Sequence, residues 1–122
     1  MSRMTKNLPP AIKKRILEGD PYRCWLPEGW HNLVINLDKE LNEVAQHYEL
    51  HQCKEKFGIL RYYIELPTHG DGSGDKKAHD IISEYEQLSS KICDVCGESG
   101  EIHNINNWMT TRCHEHNKKL RN

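Results

Sequence analysis

The sequence lacks the features of a membrane or secreted protein. It contains no run of about 18 consecutive apolar residues, which is the length that a membrane-spanning helix needs. Its first residues, Met1-Ser2-Arg3-Met4, lead into no hydrophobic segment of the kind that directs secretion. We therefore expect a cytoplasmic protein without membrane contact, in a compartment where cysteine thiols stay reduced.

The chain also has little net charge and no repeated segment. Its 17 basic and 18 acidic residues give a formal net charge of -1 at pH 7, so no bulk electrostatic attraction to nucleic acid is expected. Both ends of the chain are nonetheless basic, and the middle is acidic. Because no internal repeat is present, the sequence excludes a repeat array.

The chain does have the composition of one small, polar domain. Of its 122 residues, 36% are hydrophobic and 29% are charged, and the mean hydropathy is -0.84. A domain of this size buries only about two thirds of the surface that its unfolded chain exposes. A cross-link in addition to the apolar core would therefore stabilise the domain, and the five cysteines are the candidates to form one.

Apolar residues at helical spacing predict the helices. Over residues 30–48 they recur at steps of three and four, which lays one continuous stripe along a helix. Residues 78–88 repeat this pattern and predict a second helix. A shorter helix is expected near the N-terminus, with Pro9 and Pro10 acceptable in its first turn and residues 19–21 directly after its end.

A change of period between the two longer helices predicts a β-hairpin. Residues 59–66 alternate in the manner of a half-buried strand, and residues 50–54 form a weaker strand candidate before them. Residues 55–58 can supply the turn, with Gly58 at a positive φ. The second helix should pack on this hairpin, which makes the predicted fold class α+β.

The C-terminal quarter contains two pairs of metal-ligand residues. The first pair is Cys93-x2-Cys96, followed directly by Gly97, which lets the backbone turn tightly around an ion. After sixteen intervening residues comes Cys113-x2-His116, a spacing that suits the first turn of a terminal helix. Three sulfur ligands and one nitrogen ligand match a closed tetrahedral Zn²⁺ site.

The predicted zinc ion is structural and not catalytic. Four protein ligands leave no coordination position for water, and no motif places a general base beside them. His114 is a rival fourth ligand, and we prefer His116 because the two-residue spacing matches the recurring knuckle. Cys24 and Cys53 are expected to be small buried apolar groups outside the site.

The order of knuckle, hairpin or loop, and helix looks like a treble clef. The treble-clef-like folds include the HNH endonucleases, and His103 lies between the two ligand pairs, followed by Asn104. A nuclease of this type needs Asn and His ligands for a second metal at helix spacing after that histidine. Only nine residues separate His103 from Cys113, which leaves little room for such a helix. A metal-dependent nuclease is therefore the least favoured alternative.

Basic and aromatic side chains raise the alternative of nucleic-acid binding. The basic residues could contact phosphates, and Trp108 could stack on a base. In the simpler interpretation the charges only solubilise the surface and Trp108 covers the zinc site. Trp25 and Trp30 are expected to cap the core, with ligand stacking as the alternative. The candidate contacts for nucleic acid or another partner are Lys13, Lys14, Arg15, Trp108, Arg112, Lys118, Lys119 and Arg121.

Several segments form a joint pattern over about residues 24–117. They are Gly29-Trp30, Lys54-Glu55-Lys56-Phe57-Gly58, Leu60-Arg61-Tyr62-Tyr63, Tyr85-Glu86, Ser89-Ser90, Cys93-x2-Cys96-Gly97, Gly100, Trp108, Thr111, Cys113 and His116. The pattern resembles a group of small uncharacterised proteins from bacteriophages and bacteria. This resemblance implies the zinc site and a phage or prophage setting, and it implies no particular activity.

These observations predict a single domain spanning residues 1–122. Its parts are an N-terminal helix in 1–21, an α+β core in 22–90 and a treble-clef-like zinc-knuckle subdomain in 91–122. The closed metal site and the lack of a catalytic constellation favour a phage-type interaction protein that binds and modulates a host macromolecule, in the first place a host protein. A nucleic-acid-binding accessory or regulatory protein, with DNA or RNA as the partner, is the alternative, and the oligomeric state stays open.

Overall fold

The computed structural model describes residues 8–16, 24–66 and 73–121, in which helices alternate with two small hairpins. The helices are α1 (Pro10–Lys13), α2 (His31–Val44), α3 (Ser73–Ser89) and α4 (His114–Arg121), with a 3-10 helix at Glu28–Trp30 directly before α2. The strands are β1 (Glu49–Lys56), β2 (Ile59–Glu65), β3 (Glu101–Ile105) and β4 (Trp108–Arg112). β1 pairs antiparallel with β2, and β3 with β4, in two separate sheets. The predicted α+β class is confirmed.

The first hairpin forms where the two-residue period predicts it. Its turn consists of Phe57 and Gly58, whose φ angles are 54° and 83°. Positive φ at both central residues is the type I′ geometry that matches the twist of the paired strands. The Glu55 carboxylate holds the turn, because it accepts a hydrogen bond from the Gly58 N–H at 2.6 Å. The predicted positive φ of Gly58 is confirmed, and β1 is longer than the weaker candidate at 50–54.

Helix α2 forms one wall of the core. The side chains buried on this face are Leu33, Val34, Leu37 and Leu41, together with Asp38. The helix ends at Val44 and does not continue to Tyr48, because Ala45 leaves the helical region with φ -152° and ψ 71°. Tyr48 is nevertheless buried, and its hydroxyl donates to the Asp38 carboxylate at 2.5 Å. The predicted apolar face of the helix is therefore correct, but the predicted helix extends too far, over residues 45–48.

Helix α3 packs against α2 and β2, as the sequence predicts. Its buried side chains include Ala78, Ile82 and Tyr85. Leu88 belongs to the same predicted stripe but is exposed, so the prediction is wrong for this residue. The C-terminal end of the helix is tied to the hairpin, because the Ser89 hydroxyl accepts the Leu60 N–H at 2.8 Å.

The tryptophans near the start of α2 lie in different environments. Trp30 is fully buried, and its indole N–H donates to the Ile92 carbonyl at 2.9 Å. Trp25 is 38% exposed, so the expectation that both rings cap the core is wrong for Trp25. The chain there runs beside β1. The backbones of Cys24 and Cys53 form an isolated parallel β-bridge, and the Trp25 N–H donates to the Cys53 carbonyl at 3.0 Å. Because side chains alternate along extended backbone, the burial of Cys24 directs Trp25 outward.

The helix expected near the N-terminus is only four residues long, Pro10–Lys13. The backbone leaves the helix soon afterwards, because the Arg15 carbonyl accepts the Leu50 N–H at 2.7 Å and Ile16 forms a bridge with Leu50. Residues 1–7 and 17–23 lie outside the described residues, and so does the predicted end at 19–21. The apolar core starts with Leu8 and Ile12 from this segment.

Candidate metal centre

The first ligand pair lies in a tight turn that follows α3. The Gly97 N–H donates to the Cys93 carbonyl at 2.9 Å, and the Cys93 N–H donates to the Glu98 carbonyl at 2.7 Å. Gly97 has a φ of 81°, a backbone conformation that other residues rarely adopt. This turn folds the chain back on itself, so that Cys96 comes close to Cys93.

The second ligand pair is positioned by β4 and α4. The β3–β4 hairpin turns at Asn106 and Asn107, whose φ angles of 52° and 69° are ones that asparagine tolerates well. Cys113 directly follows β4, and His116 lies in the first turn of α4. The Asn117 N–H donates to the Cys113 carbonyl at 3.0 Å, which closes that turn.

The four predicted ligand residues converge on one point. Their ligand atoms all lie within 4.8 Å of one another, so Cys93, Cys96, Cys113 and His116 could hold a metal ion. The Cys113 sulfur lies 3.8 Å from the Cys96 sulfur and 3.1 Å from His116 Nδ1, and the Cys93 sulfur lies 3.5 Å from that nitrogen. A tetrahedron with metal–ligand bonds of about 2.0–2.3 Å has edges of about 3.3–3.8 Å, so the spacings of 3.5 and 3.8 Å fit tetrahedral coordination and the spacing of 3.1 Å is slightly shorter. The rival ligand His114 is exposed and is not part of this group.

The local backbone favours the thiolate form of Cys93. Burial raises the pKa of this thiol, but hydrogen bonds from the N–H groups of Cys113, Cys96 and Val95 have the larger combined effect and lower the pKa to about 6. The pKa of the exposed Cys96 is raised, because desolvation and the neighbouring thiols outweigh the lowering effect of the Glu98 N–H. The thiolate is the form that binds a metal, so the lowered pKa of Cys93 favours its role as a ligand.

A largely buried ion pair lies beside the ligands. The Arg112 Nε donates to the Asp94 carboxylate at 2.9 Å. Burial raises the pKa of the Asp94 carboxyl, and the Arg112 charge and hydrogen bond oppose this effect. The Asp94 N–H also donates to the Thr111 carbonyl at 2.8 Å, so two contacts join the turn at residues 93–97 to β4. Arg112 is a predicted phosphate contact, and it would have to leave Asp94 to make one.

Close backbone contacts dock the metal centre on the core. The Gly29 N–H donates to the Asp94 carbonyl at 3.0 Å, and a Cβ added at Gly29 would lie 2.2 Å from the Cys93 carbonyl oxygen. The Thr111 hydroxyl donates to the Gly58 carbonyl and thereby ties β4 to the turn of the first hairpin. Sequence reasoning missed these contacts. The only signal for them was a glycine at the start of the long amphipathic helix.

The predicted basic contact residues have different surroundings. Lys13 and Lys14 are exposed. Arg15 is held inside the protein: its guanidinium lies 4.3 Å from the ring centre of Tyr48 and donates to Asp38, Gln46 and Asn42. A phosphate contact by Arg15 would have to break this network. The remaining three belong to α4, and their side chains lie outside the described part of the chain: Lys118, Lys119 and Arg121.

Trp108 is the first residue of β4 and projects into solvent. Its side chain is 67% exposed, so it adds little cover to the metal ligands. Other large apolar side chains at the surface are Trp25, Phe57, Tyr63 and Val95. The β3–β4 hairpin, which lies directly before Cys113, thus carries the most exposed of these aromatic side chains.

His103, the histidine of the nuclease alternative, lies on β3 opposite Thr110. Its Nε2 is 3.3 Å from the Arg112 carbonyl oxygen. Within the described residues, two groups could hold a metal ion, namely the Cys3His cluster and a surface group of Glu49, His51 and Glu65 on the first hairpin. Neither of these two groups contains His103.

None of the described helices combines the length and the apolar character needed to cross a membrane. In comparisons with known proteins, no family model matches the chain, and neither the curated proteins nor the solved structures contain a significant match.

Proposed function

We propose that this chain is a small zinc-stabilised interaction protein that binds and modulates a host protein. The observation that carries the proposal is the exposed aromatic surface beside the ligand cluster, where Trp108 is 67% and Trp25 is 38% exposed. Aromatic side chains that are held on a rigid frame and left in water are typical anchors of protein interfaces. In this proposal the metal holds the frame, and the partner covers the aromatic side chains.

Zn²⁺ is the metal that the ligand set fits best. Three thiolates and one imidazole at tetrahedral spacing suit zinc, and four protein ligands give it a structural role. The order of knuckle, hairpin and helix supports a treble-clef-like architecture for residues 91–122. Metal analysis of the purified protein should give one zinc ion per chain. A protein that folds fully with no bound metal would contradict the assignment.

The resemblance to bacteriophage and bacterial proteins supports a role directed at a bacterial host. A phage-encoded protein of this kind acts in the host cytoplasm, where reduced thiols remain free to bind metal. Binding would modulate the partner by covering part of its surface, since the proposal assigns no chemistry to the metal.

The proposal is tested by affinity purification from bacterial host lysate with the zinc-loaded wild-type chain and two variants. Trp108→Ala removes the exposed ring, and Tyr63→Thr removes an exposed ring of β2 as the matched control. We expect a complex with one host protein that survives nuclease treatment and can be rebuilt from the two purified proteins. Retention of no host protein would contradict the proposal.

Binding of DNA or RNA is the second candidate, and the exposed Lys13 and Lys14 are the observation in its favour. Two other candidate contacts, Arg15 and Arg112, already pair with Asp38 and Asp94, which leaves fewer free cations for phosphate. Phosphate contacts make binding depend steeply on salt between about 50 and 200 mM. Retention of a DNA or RNA duplex with that salt dependence would favour this candidate over a protein partner.

A further inference from the structure

A groove of about 500 Å³ lies where the first hairpin, the 3-10 helix, the knuckle and β4 meet. Its apolar walls are formed by Trp25, Pro27, Val95 and Trp108. Both indole rings are accessible, at 38% exposed for Trp25 and 67% for Trp108. The groove therefore presents two large aromatic surfaces to solvent within one concave site.

Carboxylates dominate the charge of this groove. Glu28, Glu55 and Asp94 line it, and among the described residues Arg112 is the basic residue that does so. Arg112 is already neutralised by its ion pair with Asp94 at 2.9 Å. The remaining charge comes from Glu28 and Glu55, so the groove attracts cations and repels phosphate.

The groove also contains a hydrogen-bonding group without a partner. Thr110 lines the groove and is only 4% exposed, and within the described residues its hydroxyl oxygen has no hydrogen-bond partner. A buried hydroxyl that lacks a partner carries an uncompensated desolvation cost. This oxygen is itself buried, so a ligand in the groove would bond to it only after the Thr110 side chain turns toward the groove.

We infer that this groove binds the side chain of an arginine on the partner protein. A guanidinium is planar and stacks on indole rings, and its five N–H donors can reach carboxylates and a hydroxyl at the same time. The groove offers the complementary set, which is two indoles and the carboxylates of Glu28 and Glu55, neither of which forms an ion pair among the described residues. This inference rests on the proposed function, because it assigns that function's partner surface and the chemistry of its anchor.

The first test uses a small probe and the full zinc-loaded chain. Acetyl-Gly-Arg-Gly-amide is titrated while the indole N–H signals of the tryptophans are followed by NMR. Trp25 and Trp108 should shift, whereas Trp30 should not, because its buried indole N–H is bound to the Ile92 carbonyl. The same peptide with citrulline keeps the shape of arginine but lacks the charge, and it should bind at least about fivefold more weakly.

Variants separate the groove from the rest of the surface. Trp108→Ala and Glu55→Gln should each weaken the arginine peptide at least about fivefold, by loss of stacking and of charge respectively. Glutamine keeps the side-chain oxygen that accepts the Gly58 N–H, so the turn stays intact. Tyr63→Thr removes an exposed ring that does not line the groove and should leave the affinity unchanged.

Three results would overturn the inference. They are equal binding of the citrulline peptide, no shift of either exposed indole at about 10 mM arginine peptide, and stronger shifts with a single-stranded oligonucleotide. If a host protein is bound equally by wild type and Trp108→Ala, the binding of a host protein stands, whereas the aromatic surface is not the contact and this assignment fails. If the arginine peptide binds as expected but no host protein is retained, the groove stands and the proposed function fails.

Discussion

The two parts of this chain are stabilised in different ways. In residues 8–16, 24–66 and 73–90, the apolar part, fully buried side chains such as Trp30, Leu37 and Leu60 form one cluster. In residues 91–121, the ligand-cluster part, the described buried side chains are Cys93, Asp94, Thr110, Thr111 and Asn117. None of these five is a large apolar side chain. The ligand cluster therefore takes the place that a hydrophobic core has in the other part.

Loss of the metal should have the largest effect, and it should be confined to one part. Structural zinc sites contribute folding free energy on the order of 10 kcal/mol, so Cys96→Ser or a strong chelator should unfold residues 91–121. The apolar part should stay folded, because its buried cluster does not include the ligands. Hydrogen exchange would show lost protection in β3, β4 and α4 and retained protection in α2 and β2.

His114→Ala is the matched control for that experiment. His114 is exposed and lies outside the ligand group, so the variant should keep full metal content and an unchanged exchange pattern. Loss of metal from this variant, or loss of protection in both parts at once after chelation, would contradict the separation of the two parts.

Leu37→Ala should destabilise the apolar part and leave the ligand cluster able to bind a metal. Leu37 is fully buried in α2, and removing its side chain should lower the free energy of unfolding by about 2–5 kcal/mol in urea titrations. The folded variant should still hold a metal ion, because Leu37 belongs to the apolar cluster and the four ligand residues do not. A native variant that binds no metal would show that the ligand-cluster part depends on the apolar cluster.

Gly29→Ala tests the contact between the two parts. Its Cβ would lie 2.2 Å from the Cys93 carbonyl oxygen and 2.6 Å from the Asp94 carbonyl carbon, so backbone has to move. We expect a loss of about 1–3 kcal/mol in stability together with weaker metal affinity. Asn32→Ala, at an exposed position of α2, is the control, and equal effects of the two substitutions would exclude a steric role for Gly29.

Two adjacent residues, Thr110 and Thr111, should show the smallest of the predicted differences in stability. Thr111→Val removes the donor to the Gly58 carbonyl and should cost about 1–3 kcal/mol, because it leaves that buried carbonyl with one partner fewer. Thr110→Val removes a hydroxyl that has no partner within the described residues, so its stability should stay the same or rise slightly. Thermal unfolding of both variants measures the difference. Equal losses would mean that side-chain shape and not the hydrogen bond explains the effect.

The features that were predictable from the sequence are the local ones. The Cys-x2-Cys and Cys-x2-His spacings place their ligands within single turns, and the turn at Gly58 follows from the residues beside it. Features that depend on distant segments were missed. Arg15 is basic in the sequence but is held by Asp38, 23 residues away, and Trp25 turns outward because it runs beside β1. A periodic pattern carries no information about either contact.

The register of strand β4 and of the cysteine after it is fixed by side-chain contacts. Four successive residues have separate partners: Thr110 faces the groove, Thr111 the first hairpin, Arg112 the Asp94 carboxylate and Cys113 the ligand cluster. Because a strand shifted by one residue exchanges its two faces, a single insertion there would misplace all four together. We therefore expect this hairpin to tolerate an insertion only at the Asn106-Asn107 turn, because β4 fixes the spacing between the groove and the ligand cluster.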